Sequence, residues 1–368
     1  MRLEELTVVN FRNYEEASLR FGRFNLFLGE NAQGKTNLLE AIHMLAATRS
    51  HRSASDAEMA RHGASSYYIR GLLNDGYSRR RLEIAYERGG RKRVTLDGKA
   101  QARFSNIVGL LKIVFFAPES TAAVRGSPED RRRFLDALIS QARKDYLSDL
   151  IDYRRALSQR NEALKQTRDR RMALSELRVW EAPLAAAGVR LTARRLEVCG
   201  ELSPLLRLQQ ERLAGEGEEA ELIYRANVSG ESLENAFAER LTAAETNDIR
   251  RGTTSVGPHR DDLELRLNGR SARRFGSQGQ QRTLTLALKL SEFEWLKAAT
   301  GIAPVALLDD VVSELDRGRA RRLFSAFGSL SPQVFLTATE APEDLRERAA
   351  SDVWQIRAGT AQYAEGGG

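Results

Sequence analysis

Residues 29–36 read GENAQGKT, an unbroken match to the pattern G-x-x-x-x-G-K-[ST] that marks a nucleoside-triphosphate site. Such a loop works only between a buried strand and a helix N-terminus, because its N–H groups must converge on a phosphate while the helix adds partial positive charge. The flanks comply. Residues 24–28 form a short apolar run suited to a buried strand, and Leu38, Leu39, Ile42, Leu45 and Ala46 follow at helical spacing. Gly29 and Gly34 permit the backbone conformations the cradle needs, Lys35 would reach the β and γ phosphates, and Thr36 would take one Mg²⁺ position. Glu30, Asn31, Ala32, Gln33 and Asn37 complete the expected nucleotide-binding stretch. A chance glycine turn before a core helix is the competing reading, and the flanks weigh against it.

The remaining 360 positions supply a large core and room for two or three domains. No apolar run of about 18 residues occurs, and the charged opening MRLEELTVVNFRNYEE is unlike a signal peptide, so a cytoplasmic protein is expected. One cysteine, Cys199, and four scattered histidines exclude an internal disulfide framework and a cysteine-based zinc site. The net charge of +7 is unevenly spread: residues 70–103 hold 10 Lys/Arg against 4 Asp/Glu, residues 125–175 hold 13 against 8, and residues 251–282 hold 7 against 3. That distribution suits a basic face for a polyanion and equally a set of solvated loops and helix faces.

Taken in order, residues 2–28 read as strands, the stretch from Leu38 to Ala46 as the helix after the loop, and 66–117 as a β-rich segment with a turn at Asp97 and Gly98. Ser127, Pro128, Glu129 and Asp130 form a helix start. From there to about residue 214 the chain favours helix, and Pro183 and Pro204 are expected to break it into several pieces. Residues 221–250 add a strand and a helix, and Asn268-Gly269 signals a hairpin after the alternating strand 263–267. The loop RRFGSQGQQ then enters another helix, and 305–310 (VALLDD) is an apolar strand ending in two carboxylates. Such a strand is expected beside residues 24–28 in a parallel sheet, with Asp309 holding Mg²⁺ and Asp310 polarising the attacking water. Two aspartates capping the next helix is the alternative. Because the halves of the site lie about 270 residues apart, the nucleotide fold is expected to be split by a helical insertion.

In this order, GENAQGKT, SQGQQ, VALLDD and SELD resemble the ABC-type ATPases of the SMC class. More narrowly, NFRNY (10–14), TRSHR (48–52), APES, GSPEDRRRFLD (126–136) and GPHRDDLEL (257–265) are similar to the RecF family of bacterial recombination-mediator ATPases, over residues 2 to about 340. The resemblance implies an α/β ABC-type ATPase head with a β-rich lobe, divided as residues 1–125 and 251–368, and an inserted α-helical arm at 126–250. It implies an ATP-dependent homodimer in which Ser277, Gly279 and Gln280 of one subunit complete the other's phosphate site, with Lys35, Asp310 and Ser277 catalytic and Thr36 and Asp309 holding Mg²⁺. The segment SELD takes the place of the D-loop. Three departures stand out. Asp310 replaces the usual glutamate, which implies slow hydrolysis; Val114 stands near the place of a magnesium-linked glutamine; and Thr337 and Thr339 follow the strand where transporters carry a histidine switch.

The function so implied is a weak ATPase of DNA repair, replication and the SOS response. ATP would close the dimer on single- or double-stranded DNA at gaps, hydrolysis would open it and release the DNA, and RecO and RecR would join it in loading RecA. Arg79, Arg80, Arg81, Arg91, Lys92, Arg93, Arg131, Arg132 and Arg133 are the expected DNA contacts. A transporter's nucleotide-binding subunit would need a smaller helical domain and a close LSGGQ, a structural SMC-type tether a longer and less proline-broken coil, and a small-molecule kinase would leave SQGQQ unexplained.

Overall fold

In this computed structural model the residues described are 1–52, 55–215, 217–311, 331–340 and 351–364. In chain order the head begins with β1 (Arg2–Phe11), β2 (Tyr14–Arg20) and β3 (Phe24–Leu28), then α1 (Lys35–Ala47), β4 (Ser66–Asn74), β5 (Arg79–Glu87), β6 (Arg93–Leu96), β7 (Lys99–Ala100) and β8 (Ile113–Phe116). There follow α2 (Ala122–Arg125), α3 (Pro128–Ala142), α4 (Lys144–Arg168), α5 (Leu174–Arg178), α6 (Glu181–Ala214), β9 (Ala220–Arg225) and α7 (Leu233–Arg251). The chain continues with β10 (Asp262–Leu267), β11 (Arg270–Ser271), α8 (Ala272–Phe275) and α9 (Gln278–Thr300), and ends in β12 (Val305–Leu308), β13 (Val334–Ala338), β14 (Ser351–Arg357) and β15 (Thr360–Ala364). Two compact units result, one of Met1–Ser120 with Glu292–Gly368, the other of Thr121–Ser291. No described helix is long and apolar enough to cross a membrane.

The first unit has two sheets. One is an antiparallel meander, β2-β1-β4-β5-β6-β7, whose β4 buries every second residue as one-sided burial requires. The other, β15-β14-β3-β13-β12-β8, is parallel apart from the edge strand β15. Its strands β8, β12 and β13 are buried along their whole length, which explains their unbroken apolar runs. Helix α1 touches both sheets, and Leu38, Leu39, Ile42 and Leu45 join one core with Leu6, Ile69 and Ile84 of the meander and Phe27, Leu307 and Phe335 of the parallel sheet. The expected pairing of the 305–310 strand directly with residues 24–28 is corrected here: β13 lies between them, with Leu336 opposite Leu26 on one side and Leu308 on the other. Both strands still end on one carboxyl edge. The strands β14 and β15 were not legible in the sequence.

The second unit is not purely helical, because β9, β10 and β11 form a three-stranded sheet. Its limits also correct the expected division at residue 250: the hairpin of β10 and β11 and the loop at 276–281 belong with the helices. The physical reason is a buried ionic network. Arg195, 2% exposed, donates to Asp136 at 2.7 Å, to Asp261 at 3.3 Å and to the Pro258 carbonyl at 2.8 Å. Arg131 clasps Asp262 through two bonds of 2.7 and 2.9 Å. The segments GSPEDRRRFLD and GPHRDDLEL thus meet as partners. As expected, Ser127 caps α3, and its hydroxyl and backbone N–H engage Asp130 in a capping box. Against expectation, Pro204 does not break α6, which runs 34 residues from Glu181 to Ala214. It gives up one backbone hydrogen bond while buried Leu202, Leu206 and Leu213 hold the helix on both sides of it. Pro183 falls in the first turn, where its missing N–H has no intrahelical partner to lose.

Candidate functional site

The loop leaves β3 and turns into α1 at Gly34, whose φ of 117° is open to glycine and strained for any other residue. The turn between β1 and β2 braces it. Asn13 Nδ2 donates to the Gln33 carbonyl at 2.8 Å, the Tyr14 hydroxyl to the Gly34 carbonyl at 3.0 Å, and Asn37 Nδ2 to Asn13 Oδ1 at 2.8 Å. Arg12 grips Glu40, which is fully buried on α1, through bonds of 2.8 and 2.6 Å. From the far end of the chain, the Ala358 and Gly359 amides bond Gln33. NFRNY is therefore a scaffold for the phosphate loop, a role its sequence did not disclose.

Lys35 is buried, and its ammonium donates to the Gly29 carbonyl and, at 2.9 Å, to that of Glu30. Burial lowers its pKa, opposed by the charges of Asp310 and Asp309. Across 273 residues of sequence, Thr36 Oγ1 donates to Asp309 Oδ1 at 2.9 Å. Asp309, 5% exposed, has its carboxyl pKa raised by burial, opposed by the hydroxyls of Thr337 and Thr36. A hydroxyl and a carboxylate oxygen side by side are the hard, few-ligand donor set that Mg²⁺ takes when phosphates complete its shell. No cluster of three acidic, histidine or cysteine ligands occurs among the described residues.

Thr337 has a definite place. Fully buried on β13, its hydroxyl donates to Asp309 Oδ1 at 2.7 Å and accepts the Asp310 N–H at 2.9 Å. Asp310 sits at φ 50°, a conformation uncommon for a residue with a side chain. Val114 is mid-strand in β8, paired with Ala306, so it cannot take the magnesium-linked role. The charge of Glu119 raises the Asp309 pKa and that of Arg52 lowers it. TRSHR and APES contain both, but charge alone did not single them out. Residues 313–316 (SELD) lie outside the described residues.

In the second unit Ser277 and Gln280 form a reciprocal cap at the start of α9. The Ser277 hydroxyl accepts the Gln280 N–H at 3.2 Å and the Gln280 side-chain oxygen accepts the Ser277 N–H at 2.9 Å. The serine proton stays available to donate, and a Cβ at Gly279 would meet nothing nearer than Ser277 Oγ at 4.0 Å, so the loop's outer face is open.

Most expected DNA contacts are engaged within the chain. Arg131 is 5% exposed and bound to Asp262, Arg132 donates to the Asp261 carbonyl at 2.7 Å, and Arg133 pairs with Glu129 at 2.8 Å. Arg79 pairs with Glu4, Arg80 with Asp97, and Lys92 with Asp56. Arg81 lies 4.0 Å from Glu83. Arg131 is thereby corrected to a structural cation, since a phosphate could reach it only by displacing its carboxylate. Arg91 and Arg93 are exposed and unpaired among the described residues.

Residues 2–359 match the family described as the RecF/RecN/SMC N-terminal domain. The chain is 39% identical to the DNA replication and repair protein RecF of Natranaerobius thermophilus, over 98% of both chains, and 37% identical to that of Lactococcus lactis, over 99% of this chain and all of the relative. Its fold is similar to a solved structure of the recombination mediator protein RecF with ATP in the RecFOR pathway: TM-score 0.91, 33% identity, 99% and 97% of the two chains covered. A solved Smc head, 16% identical with a TM-score of 0.58, shares the fold.

Proposed function

The chain belongs to the RecF family of DNA replication and repair proteins, and from that premise we propose that it is an ATP-driven DNA clamp. The observation that carries this is the meeting of Thr36 and Asp309 at 2.9 Å on the carboxyl edge of the parallel sheet, beside a braced phosphate loop. The amides of residues 29–36 and the Lys35 ammonium bind the ATP phosphates. Thr36 and Asp309 hold Mg²⁺, which when bound neutralises charge building up on the phosphates. Asp310, its backbone fixed by Thr337, orients the attacking water; Ser277 and Gly279 of a second copy donate to the γ-phosphate and complete the site. ATP binding closes the dimer on DNA at gaps, slow hydrolysis opens it, and the closed form works with RecO and RecR in placing RecA. The relatives' names and the ATP-bound relative support this reading.

The test is light scattering of the full chain with ADP, with ATP, and with ATP plus gapped DNA. Lys35→Met should stay monomeric throughout. Ser277→Asp keeps a good helix cap but sets a negative charge against the γ-phosphate, and should bind ATP without dimerising. A wild-type chain that binds ATP yet stays monomeric with and without DNA would overturn the shared-site mechanism.

A further inference from the structure

The second unit holds a groove of about 510 Å³ between β10, β11 and α8. Two carboxylates stand on its wall, and both are neutralised: Asp262 by Arg131, and Glu264 by Arg225 and Arg266 at 3.0 and 2.8 Å. On its rim Arg270, Arg273 and Arg274 are exposed, and their side chains form no hydrogen bond or ion pair with any described residue. Next to them stands Phe275, 69% exposed. The contrast with Arg131, Arg132 and Arg133 is chemical. A guanidinium already clasped by a carboxylate must lose that partner to take a phosphate, whereas these three have no such partner among the described residues.

We propose that this groove seats single-stranded DNA, with Arg270, Arg273 and Arg274 on successive phosphates and Phe275 stacking against one base. The inference rests on the reading of the chain as a DNA-binding protein and gives that activity a location. Phosphates account for three unpaired arginines beside a wall whose acids are cancelled. The aromatic selects a single strand, because only an unstacked base offers its face to a phenyl ring. Turn geometry fixes the display: Asn268 and Gly269 take φ of 49° and 73°, the pair of positive angles that closes a two-residue hairpin and holds Arg270 at its exit.

The experiment is fluorescence anisotropy of a labelled oligothymidylate with the full chain, across a series of salt concentrations and with and without ATP. It compares wild type, the triple variant Arg270→Gln/Arg273→Gln/Arg274→Gln, and Phe275→Ala. All four side chains are exposed, so melting curves should coincide. The triple variant should flatten the plot of log affinity against log salt by about 2, from a slope of roughly 0.7 for each lost phosphate contact. Phe275→Ala should weaken binding about 5- to 150-fold at unchanged slope. Wild-type slope and affinity in every variant would overturn the groove while leaving DNA binding standing. Variants that bind DNA normally but no longer dimerise with ATP would make this face a contact between subunits and overturn the proposal. Equal losses on duplex DNA, with Phe275→Ala neutral, would overturn the single-strand assignment. A wild-type chain that binds no DNA would overturn the groove and the parent reading together.

Discussion

Replacing Thr337 by valine preserves the volume of a fully buried side chain and deletes one hydroxyl that serves two neighbours. That hydroxyl donates to Asp309 Oδ1 at 2.7 Å and accepts the Asp310 N–H at 2.9 Å. A hydrogen bond to a charged group contributes about 1.5–3 kcal/mol and a neutral one about 1 kcal/mol. Asp309 keeps the Thr36 hydroxyl at 2.9 Å, which places the expected loss near the lower end, about 2 kcal/mol. For a unit of this size the melting temperature should fall by about 4–8 °C. Function should suffer differently from stability. The loop amides and Lys35 are untouched, so affinity for a fluorescent ATP analogue should change by less than about threefold. Asp310 loses the bond that holds its uncommon backbone conformation, and single-turnover hydrolysis should slow about 10- to 100-fold, the equivalent of roughly 1.4–2.8 kcal/mol in the barrier. Thr337→Ser should restore both properties. If valine lowers the melting temperature and leaves turnover intact, Thr337 supports the fold alone and the assigned orientation of Asp310 is wrong.

Three further outcomes follow from the geometry. Burial pushes the His259 pKa down to about 4, with Nδ1 accepting from the Tyr153 hydroxyl and Nε2 donating to the Thr254 carbonyl. The unfolded chain takes up a proton near pH 6.5 while the folded chain does not, so stability should fall as pH drops from 7 to 5, by about 2 kcal/mol. Chemical denaturation at the two pH values should show that drop, and a His259→Gln variant with the same drop would assign it elsewhere. Arg160→Leu should destabilise the second unit by about 3–5 kcal/mol, because fully buried Asp248 loses its 2.8 Å cation; calorimetry showing less than about 1 kcal/mol would mean that the carboxylate finds another partner. Gly34→Ala forces a Cβ at φ 117° to within 2.6 Å of Asn13 Nδ2, and equilibrium titration should show ATP affinity reduced at least about tenfold. Wild-type affinity in that variant would show that the loop tolerates rearrangement.

What was legible in the sequence was whatever a local pattern dictates. The phosphate loop, the Ser127 cap and the hairpin at Asn268 and Gly269 each depend on a few adjacent residues, and each forms where its pattern placed it. Adjacency in space was less legible. Apolar runs announce that β3, β12 and β13 are buried strands, but so short a hydrophobic strand does not say which neighbour it chooses, and the place of β13 between the two halves of the site is not legible. Arginines were the hardest to read. Arg131 and Arg273 look alike in sequence, and only the fold shows that one faces Asp262 while the other faces solvent. Pro204 misled for a related reason: its penalty is local, while the packing that outweighs it comes from Leu202, Leu206 and Leu213.

Strand β3 finds both of its neighbours in the last tenth of the chain, β13 at Val334–Ala338 and β14 at Ser351–Arg357. During synthesis the strand that leads into the phosphate loop has neither of its sheet neighbours until more than 300 residues later. At about 5–20 residues per second that interval lasts roughly 15–60 seconds. The meander of β1, β2, β4 and β5 closes on itself long before, and can shelter the apolar face of α1 meanwhile. A ribosome that stalls before residue 334 therefore releases a chain with a finished meander and an unfinished nucleotide site. Such fragments, lacking the strand that carries Thr337 against Asp309, should not bind ATP.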